Sequence, residues 1–551
     1  MLTVVLWSDR AEACGCFANS NTTVSPVIQA GERILFAVRD GKVIAHIQIQ
    51  YSGDAQEFGW LLPLPAIPKL EVGRDELFQQ LGQRTQPTYV VTRSADSCSQ
   101  PGGRPFVLGC ASYAPPSSGE VLNGGPEFGP QDAGALPPVA VVQSSVGPYD
   151  YAVLDASDKQ AMITWLNDNR YFIPAASSSA VDRYVHPGAY FLALKLRTGK
   201  SAGDITPVVL EYPAAYPMIP IVLTSVGAQP NMGVQVWMLG ASRAVPRNYH
   251  HVVINDAQLS WQSQVNNYSG VVTAAVAEAP QKHAFVTEYA GPSSLMKDVL
   301  VADPSMFGNE VDLAATQTPV EFFRYLLDHD FVDFNGRMPA TVREILDLAF
   351  PVPNALRVDR GINQTEFINR LDYYLGPFKT QNPDLFANYN PPAFEPVRLA
   401  AEIFGTFVKP MRQANDLFTE FPILTRMYTT LSPEDMTEDP VFAFNPDLPL
   451  VPRNHTANIR SHCNGQQTTT TDQGWSVSTL SPGRGPGATR IEILKEEGQA
   501  ELVVDNSTAI SEALTVPMDM RTDTPKQGCT TVDPVTLIAL AALVASRRRR
   551  R

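Results

Sequence analysis

Ile34-Leu35-Phe36-Ala37-Val38-Arg39-Asp40-Gly41-Lys42-Val43-Ile44-Ala45-His46-Ile47-Gln48-Ile49-Gln50-Tyr51 is the stretch on which a reading of the fold turns. Ile34, Phe36 and Val38 alternate, Asp40-Gly41 supplies a tight turn, and Val43, Ala45, Ile47, Ile49 and Tyr51 alternate again. A β-hairpin with one apolar face is expected. Its other face carries His46, Gln48 and Gln50 and is expected to be solvated, the usual fate of the polar side of an antiparallel sheet.

Working outward, Phe58 to Leu64 reads as an extended segment ended by prolines, and a short helix with Leu77, Phe78 and Leu81 is expected to stop at Gly82. Residues 94–138 are rich in Gly, Pro and Ser, lack periodicity and read as an insertion. Val139 to Val142 and Tyr151 to Leu154 read as strands. Ser157 with Gln160 has the form of a capping box for a helix whose Met162, Trp165 and Leu166 share a face. Tyr190 to Leu196, Val208 to Tyr212, Ile219 to Leu223 and Val234 to Leu239 read as further strands.

Near Glu278 the pattern becomes helical. Thr318-Pro319-Val320-Glu321 is a capping box with proline at the first helical position, opening a helix with Val320, Phe323 and Leu327 on one side. Thr341 with Glu344 and Asn363 with Glu366 open two more, the latter expected to end at Gly376-Pro377. Ile491 to Leu494 and Glu501 to Val504 return to strand. The expected class is therefore α+β. It comprises a largely antiparallel β-sheet domain over 14–290, a helical domain over 291–460, a linker and small β unit over 461–515, and a terminal spacer and segment over 516–551.

A chain of 551 residues exceeds what one core usually serves, and 46 prolines favour turns and edge strands over a plain helical bundle. The formal charge of -14, with no basic stripe before the C-terminal arginines, excludes nucleic acid as a partner, because that binding rests on cationic neutralisation of phosphates.

Met1 to Trp7 is apolar and leads to Ala11-Glu12-Ala13, a small-x-small cleavage pattern before Cys14. The cationic region that normally opens a signal peptide is missing. Residues 1–13 therefore read either as a signal peptide with an upstream start, the favoured reading, or as a buried strand. At the other end Cys529 precedes an apolar run from Val535 to Ala545 and then Arg547, Arg548, Arg549, Arg550 and Arg551. Apolar residues favour the hydrocarbon core while arginines stay on the cytoplasmic side. The run is short against the roughly 20 residues of a stable span, so a sorting segment is expected rather than a permanent anchor. In an exported chain six cysteines are expected to be bridged. Cys98 and Cys110 are expected to pair, and Cys463 to join Cys14 or Cys16.

Candidate chemistry is sparse. His250-His251 with His283 and Glu288 offers ligand types that suit zinc, and this quartet is the basis of one alternative, an extracellular metal-dependent hydrolase. Adjacent strand residues face opposite ways, however, and the HExxH spacing is absent. Asp328, Asp330, Asp333, Asn335 and Gly336 fail as a calcium loop, because Phe331 and Val342 would occupy positions that require carboxylates. Ser294-Leu295-Met296-Lys297 lacks the companion motifs of an SxxK enzyme. No cofactor is expected.

Several phrases together carry a resemblance: Cys14-Gly15-Cys16-Phe17, Ala45 to Tyr51, Phe191 to Leu196, Arg243-Ala244-Val245-Pro246-Arg247-Asn248-Tyr249 and Phe285-Val286-Thr287-Glu288-Tyr289. They resemble the bacterial exported family catalogued as domain of unknown function 2330, and Leu424 to Tyr428 with Pro440 to Phe442 resembles the C-terminal part of its larger members. The tail is similar to the myxobacterial-type C-terminal sorting tag. These resemblances imply export, processing near Cys529 and retention at the cell surface or outer membrane, with the C-terminal segment first held in the inner membrane. They imply no activity. The expected function is a non-enzymatic binding or structural envelope protein, partnered by an envelope component or another surface protein and touching the membrane through its tail.

Overall fold

The computed structural model describes residues 28–52, 59–97, 139–171, 178–197, 205–332, 337–478 and 485–515. The 98–138 part of the insertion, the two terminal segments, Cys14, Cys16, Cys98, Cys110, Cys529 and Arg547 to Arg551 lie outside the described residues.

The chain opens with β1 (Ile28–Arg39), β2 (Lys42–Ser52), β3 (Gly59–Leu64), β4 (Lys69–Val72), α1 (Asp75–Thr85) and β5 (Thr88–Ala95). There follow β6 (Ala140–Val146), β7 (Tyr149–Asp155), α2 (Lys159–Asp168), α3 (Ser178–Asp182), β8 (Tyr190–Leu196) and β9 (Val208–Pro213). Next come α4 (Ile221–Thr224), β10 (Ala228–Gly240), β11 (Arg243–Pro246), β12 (His250–Ile254), α5 (Tyr268–Ala277) and β13 (Ala284–Pro292). The helical stretch holds α6 (Glu310–Ala314), α7 (Pro319–Asp328), α8 (Ala340–Ala349), α9 (Asn354–Arg360), α10 (Gln364–Asn369), α11 (Leu371–Tyr373), α12 (Lys379–Gln381), α13 (Pro396–Ile403) and α14 (Lys409–Glu420). The chain then runs through β14 (Ile423–Leu431), β15 (Phe442–Asn445), β16 (Asn454–Ser461), β17 (Gln467–Thr471), β18 (Ser476–Ser478), β19 (Ala488–Ile493), β20 (Glu501–Asp505) and α15 (Ser507–Thr515). No helix among the described residues is long and apolar enough to cross a membrane.

Ten strands make the central sheet, in the order β20-β19-β12-β13-β14-β10-β1-β2-β9-β4. Most neighbours are antiparallel, but β1 runs parallel to β10 and β12 parallel to β13. The class is α+β, as expected. The hairpin forms as read: Asp40 and Gly41 both take positive φ, 51° and 71°, which matches the twist of the flanking strands. β14 enters the sheet between β10 and β13, so the helical stretch is an excursion between two strands that pair directly.

Both faces of this sheet are covered. Ile34, Phe36, Val43, Ala45 and Ile47 pack with Trp60, Leu62, Leu192 and Leu194 of a second sheet, β3-β8-β7-β6. Leu35, Ala37, Ile44, Trp237 and Leu239 on the opposite face pack with Leu77, Phe78 and Leu81 of α1 and with Phe322, Phe323 and Leu326 of α7. The second sheet is covered in turn by Met162, Trp165 and Leu166 of α2. A smaller sheet, β18-β17-β16-β5, is tied to the rest by the Tyr89 ring, 5.5 Å from that of Trp261.

The face expected to be solvated stays exposed at Gln50 but is covered at His46. His46 is only 5 % exposed, and Gln48 donates to Asp75 of α1. The helical layer covers this side because Leu35, Ala37 and Ile44 are themselves apolar and need burial. Other departures are local. α1 passes through Gly82 to Thr85, and Gln86 leaves the helix in extended conformation, as a residue before proline tends to. Asp158 rather than Ser157 caps α2, accepting from Ala161 N–H at 3.0 Å. The apolar run Ile219 to Leu223 is not a strand but leads into α4, whose residues are all buried, a case where burial on every side erases periodicity. Thr341 lies inside α8 and accepts from Arg74 instead of capping. Past α10 the chain does not end its helical course at Gly376 but kinks there and continues into α12.

The Thr318 cap is present, accepting from Glu321 N–H at 3.2 Å, while Glu321 accepts in return from Gln317 N–H at 2.9 Å. The face of α7 that this cap presents to the core is Phe322, Phe323 and Leu326, with Leu327 exposed. Phe323→Ala should lower unfolding free energy by about 3–5 kcal/mol and Thr318→Ala by about 1 kcal/mol, read by denaturant titration.

Burial pushes the pKa of His46 down to about 4 from 6.5. Between those values the unfolded chain takes up a proton that the folded chain refuses, so this residue removes stability as pH falls from 6.5 towards 4. His46→Gln should flatten the slope of stability against pH in that window and leave it unchanged above pH 7.

Candidate functional site

β19, β12 and β13 lie side by side, and Arg243 of β11, Tyr89 of β5 and His455 of β16 line the same space. The loops carrying Pro449 and Gln499 complete a cleft of about 320 Å³. On β12, His251, Val252, Val253 and Ile254 line it, and Val252 also belongs to the apolar core.

Three charged groups define its floor. Arg243, 6 % exposed, donates to the Pro449 carbonyl at 3.0 Å and to the Thr287 hydroxyl at 3.3 Å. Its Nε has no hydrogen-bond partner among the described residues. Desolvation lowers its pKa, and Glu492, beyond ion-pair distance, offsets this in part. Beside it His251 Nδ1 lies 3.1 Å from Glu492, whose second oxygen accepts from Arg490 at 2.9 Å. Burial favours neutral His251, and although burial also opposes charge on Glu492, the hydrogen bond from His251 and the nearby Arg490 hold that carboxylate ionised.

The third group is Glu288, 3 % exposed, which is ion-paired to Arg426 and accepts from Gln235 at 3.3 Å and from the Tyr268 hydroxyl. Arg426 also reaches Gly82 O and Thr85 Oγ1 at the end of α1 and lies over the Trp237 ring at 5.4 Å. The C-terminal carbonyls of a helix favour a cation there. This pair therefore stitches β13, β14 and α1 together and is structural.

The cleft also has an aromatic side. Tyr89 stacks on His455 at 5.3 Å, with the Tyr268 ring 6.1 Å away. Burial, aided by the Glu288 charge, raises the pKa of both tyrosines, so their hydroxyls stay protonated at any ordinary pH. A planar or ring-shaped molecule can lie against these faces while an anionic end reaches Arg243.

Of the sequence-derived quartet, the structure brings His251 and Glu288 into this cleft and leaves the other two out. His250 does not line it. His283 stacks on Tyr249 at 4.6 Å and binds the Asp435 carbonyl at 3.0 Å. Among the described residues no group of three or more His, Cys, Asp or Glu is placed to hold a metal ion. Cys463 is disulfide-bonded. Its neighbour His462 is engaged by Asp96 at 3.0 Å and Thr468 at 2.8 Å. Sequence reading missed Arg243, Arg490, Glu492, Tyr89, Tyr268 and His455. Arg243 alone left a signal, a guanidinium at the head of the otherwise apolar Ala244-Val245-Pro246.

The family model described as an uncharacterized protein conserved in bacteria, DUF2330, matches residues 10–341. The chain belongs to this family. The match covers β1 to β13 and hence Arg243, His251 and Glu288, and stops short of Arg426, Arg490 and Glu492. Neither the curated proteins nor the solved structures gave a match.

Removing one member of the buried pair strands the other. Glu288→Gln should cost about 3–5 kcal/mol of stability, whereas the double change Glu288→Leu with Arg426→Met should recover most of that, both read by denaturant titration.

Proposed function

We propose that this chain is an exported binding protein of the cell envelope, and that its cleft takes the carboxylate of a ring-bearing molecule, an acidic sugar of the envelope being the best fit. The reading is carried by Arg243, a guanidinium 6 % exposed on the wall of a cleft of about 320 Å³, whose Nε has no partner among the described residues. A buried cation without an ion pair is costly, and a planar carboxylate is the partner that guanidinium geometry matches. The aromatic side supplies the apolar surface on which a ring rests, in the usual manner of small-molecule sites. Binding rather than turnover is favoured because both carboxylates on the cleft wall are already engaged, Glu288 by Arg426 and Glu492 by His251 and Arg490. Export is supported by the apolar start, the cysteine-arginine tail and the disulfide at Cys463.

Calorimetric titration of the purified chain with glucuronate and with glucose tests the reading. Glucuronate should bind and be recovered unchanged, glucose should bind about tenfold more weakly or not at all, and Arg243→Met should remove the difference. Equal binding of the two sugars, or indifference to Arg243→Met, would sink it.

A further inference from the structure

A second cavity, of about 260 Å³, lies on the other side of β1, inside the layer between the central sheet and the β3-β8-β7-β6 sheet. Its walls are apolar, built from Phe36, Ile47, Leu62 and Leu210 among others, and His186 and Tyr216 stand at its lining with greater exposure. One charged group belongs to the enclosed part. Glu32 shares the parity of Ile34 and Phe36 on β1, so its carboxyl is carried to the same interior face. It is 4 % exposed, and its Oε2 has no hydrogen-bond partner among the described residues.

We propose that this cavity is a binding site for a hydrophobic primary amine, its ammonium on the Glu32 carboxylate and its apolar body between the two sheets. The site is distinct from the Arg243 cleft and of opposite charge preference. An unpartnered buried carboxyl calls for a donor, and an ammonium supplies both the charge and up to three N–H groups. Burial pushes Glu32 up to about 7, as expected of a carboxyl with no cation near it, so a bound ammonium would restore the ionised form. The surrounding rings point the same way. Phe36, Tyr184 and Tyr212 line the cavity, and aromatic faces attract cations. Arg247 already lies over the Tyr216 ring at 4.3 Å, an instance of that attraction on the same wall. The net charge of -14 adds a long-range bias towards cations. A fatty acid fits less well, since its carboxylate would meet another acid in an apolar site.

The test is a ligand series on the unaltered chain, so that it does not depend on any variant folding. Hexylamine, 1-hexanol and hexanoate share an apolar body and differ only in the head group. In calorimetric titration hexylamine should bind one to one, at least about tenfold more tightly than either analogue. Glu32→Gln, which keeps the side-chain shape, should reduce that preference to within about twofold. Hexanol or hexanoate binding as tightly as the amine, no measurable binding of the amine, or an amine preference that survives in a folded Glu32→Gln protein would each overturn the proposal.

Discussion

Burial of β1 and β10 on both faces is the constraint from which the remaining architecture follows. The two strands pair in parallel at the middle of a ten-stranded sheet, and Ile34, Leu35, Phe36 and Ala37 are all at most 2 % exposed. A strand buried on both sides needs a covering layer on each. The second β-sheet supplies one and the helical cluster the other, each with its own apolar cluster. Burial of apolar area at roughly 25 cal/mol per Å² is what holds such layers together. The helical excursion between β13 and β14 makes sense in this light. It leaves the sheet, covers one face, and returns to the strand beside the one it left.

The same constraint decides the fate of polar residues on those strands. A polar group carried into such a layer costs on the order of 1–3 kcal/mol unless it finds a partner, and a charge costs more. Glu288 meets this demand with Arg426, Gln235 and Tyr268, in a network that doubles as a clasp on α1. Among the described residues, Arg243 meets it only in part, its Nε being left over, and Glu32 Oε2 finds no partner. Each borders a cavity, one partly polar and aromatic, the other apolar. A charged side chain with an unpartnered atom beside open space is what both proposals rest on, and the two charges are of opposite sign.

Much of the local structure was legible. The 34–51 hairpin and the Thr318 and Asn363 caps rest on interactions between residues close in sequence, and most strands show in their side-chain alternation, which a linear reading sees directly. Readings failed where two local interpretations tied. Ser157 and Asp158 are both fit to cap a helix, and only the backbone path chose Asp158. Ile219 to Leu223 is apolar throughout, so no period separated strand from helix. The candidate cleft was nearly illegible. It draws on β5, β11, β12, β13, β16 and β19, segments scattered from residue 88 to 493, and nothing local links Arg243 to Glu492 or Tyr89 to His455. The His250 and His251 pair attracted notice by composition, yet only His251 lines the cleft.

By itself, then, the sequence determined the α+β class, the hairpin and the helix starts at Thr318 and Asn363, because each depends on side-chain periodicity or on hydrogen bonds spanning three or four residues. Only the tertiary structure decided that His46 is covered, that β14 returns between β10 and β13, and that Arg243 Nε and Glu32 Oε2, beside cavities, lack partners among the described residues. These outcomes depend on which distant surfaces come together to bury apolar area, and that pairing is settled by the competition among all such surfaces at once rather than by any one stretch of chain.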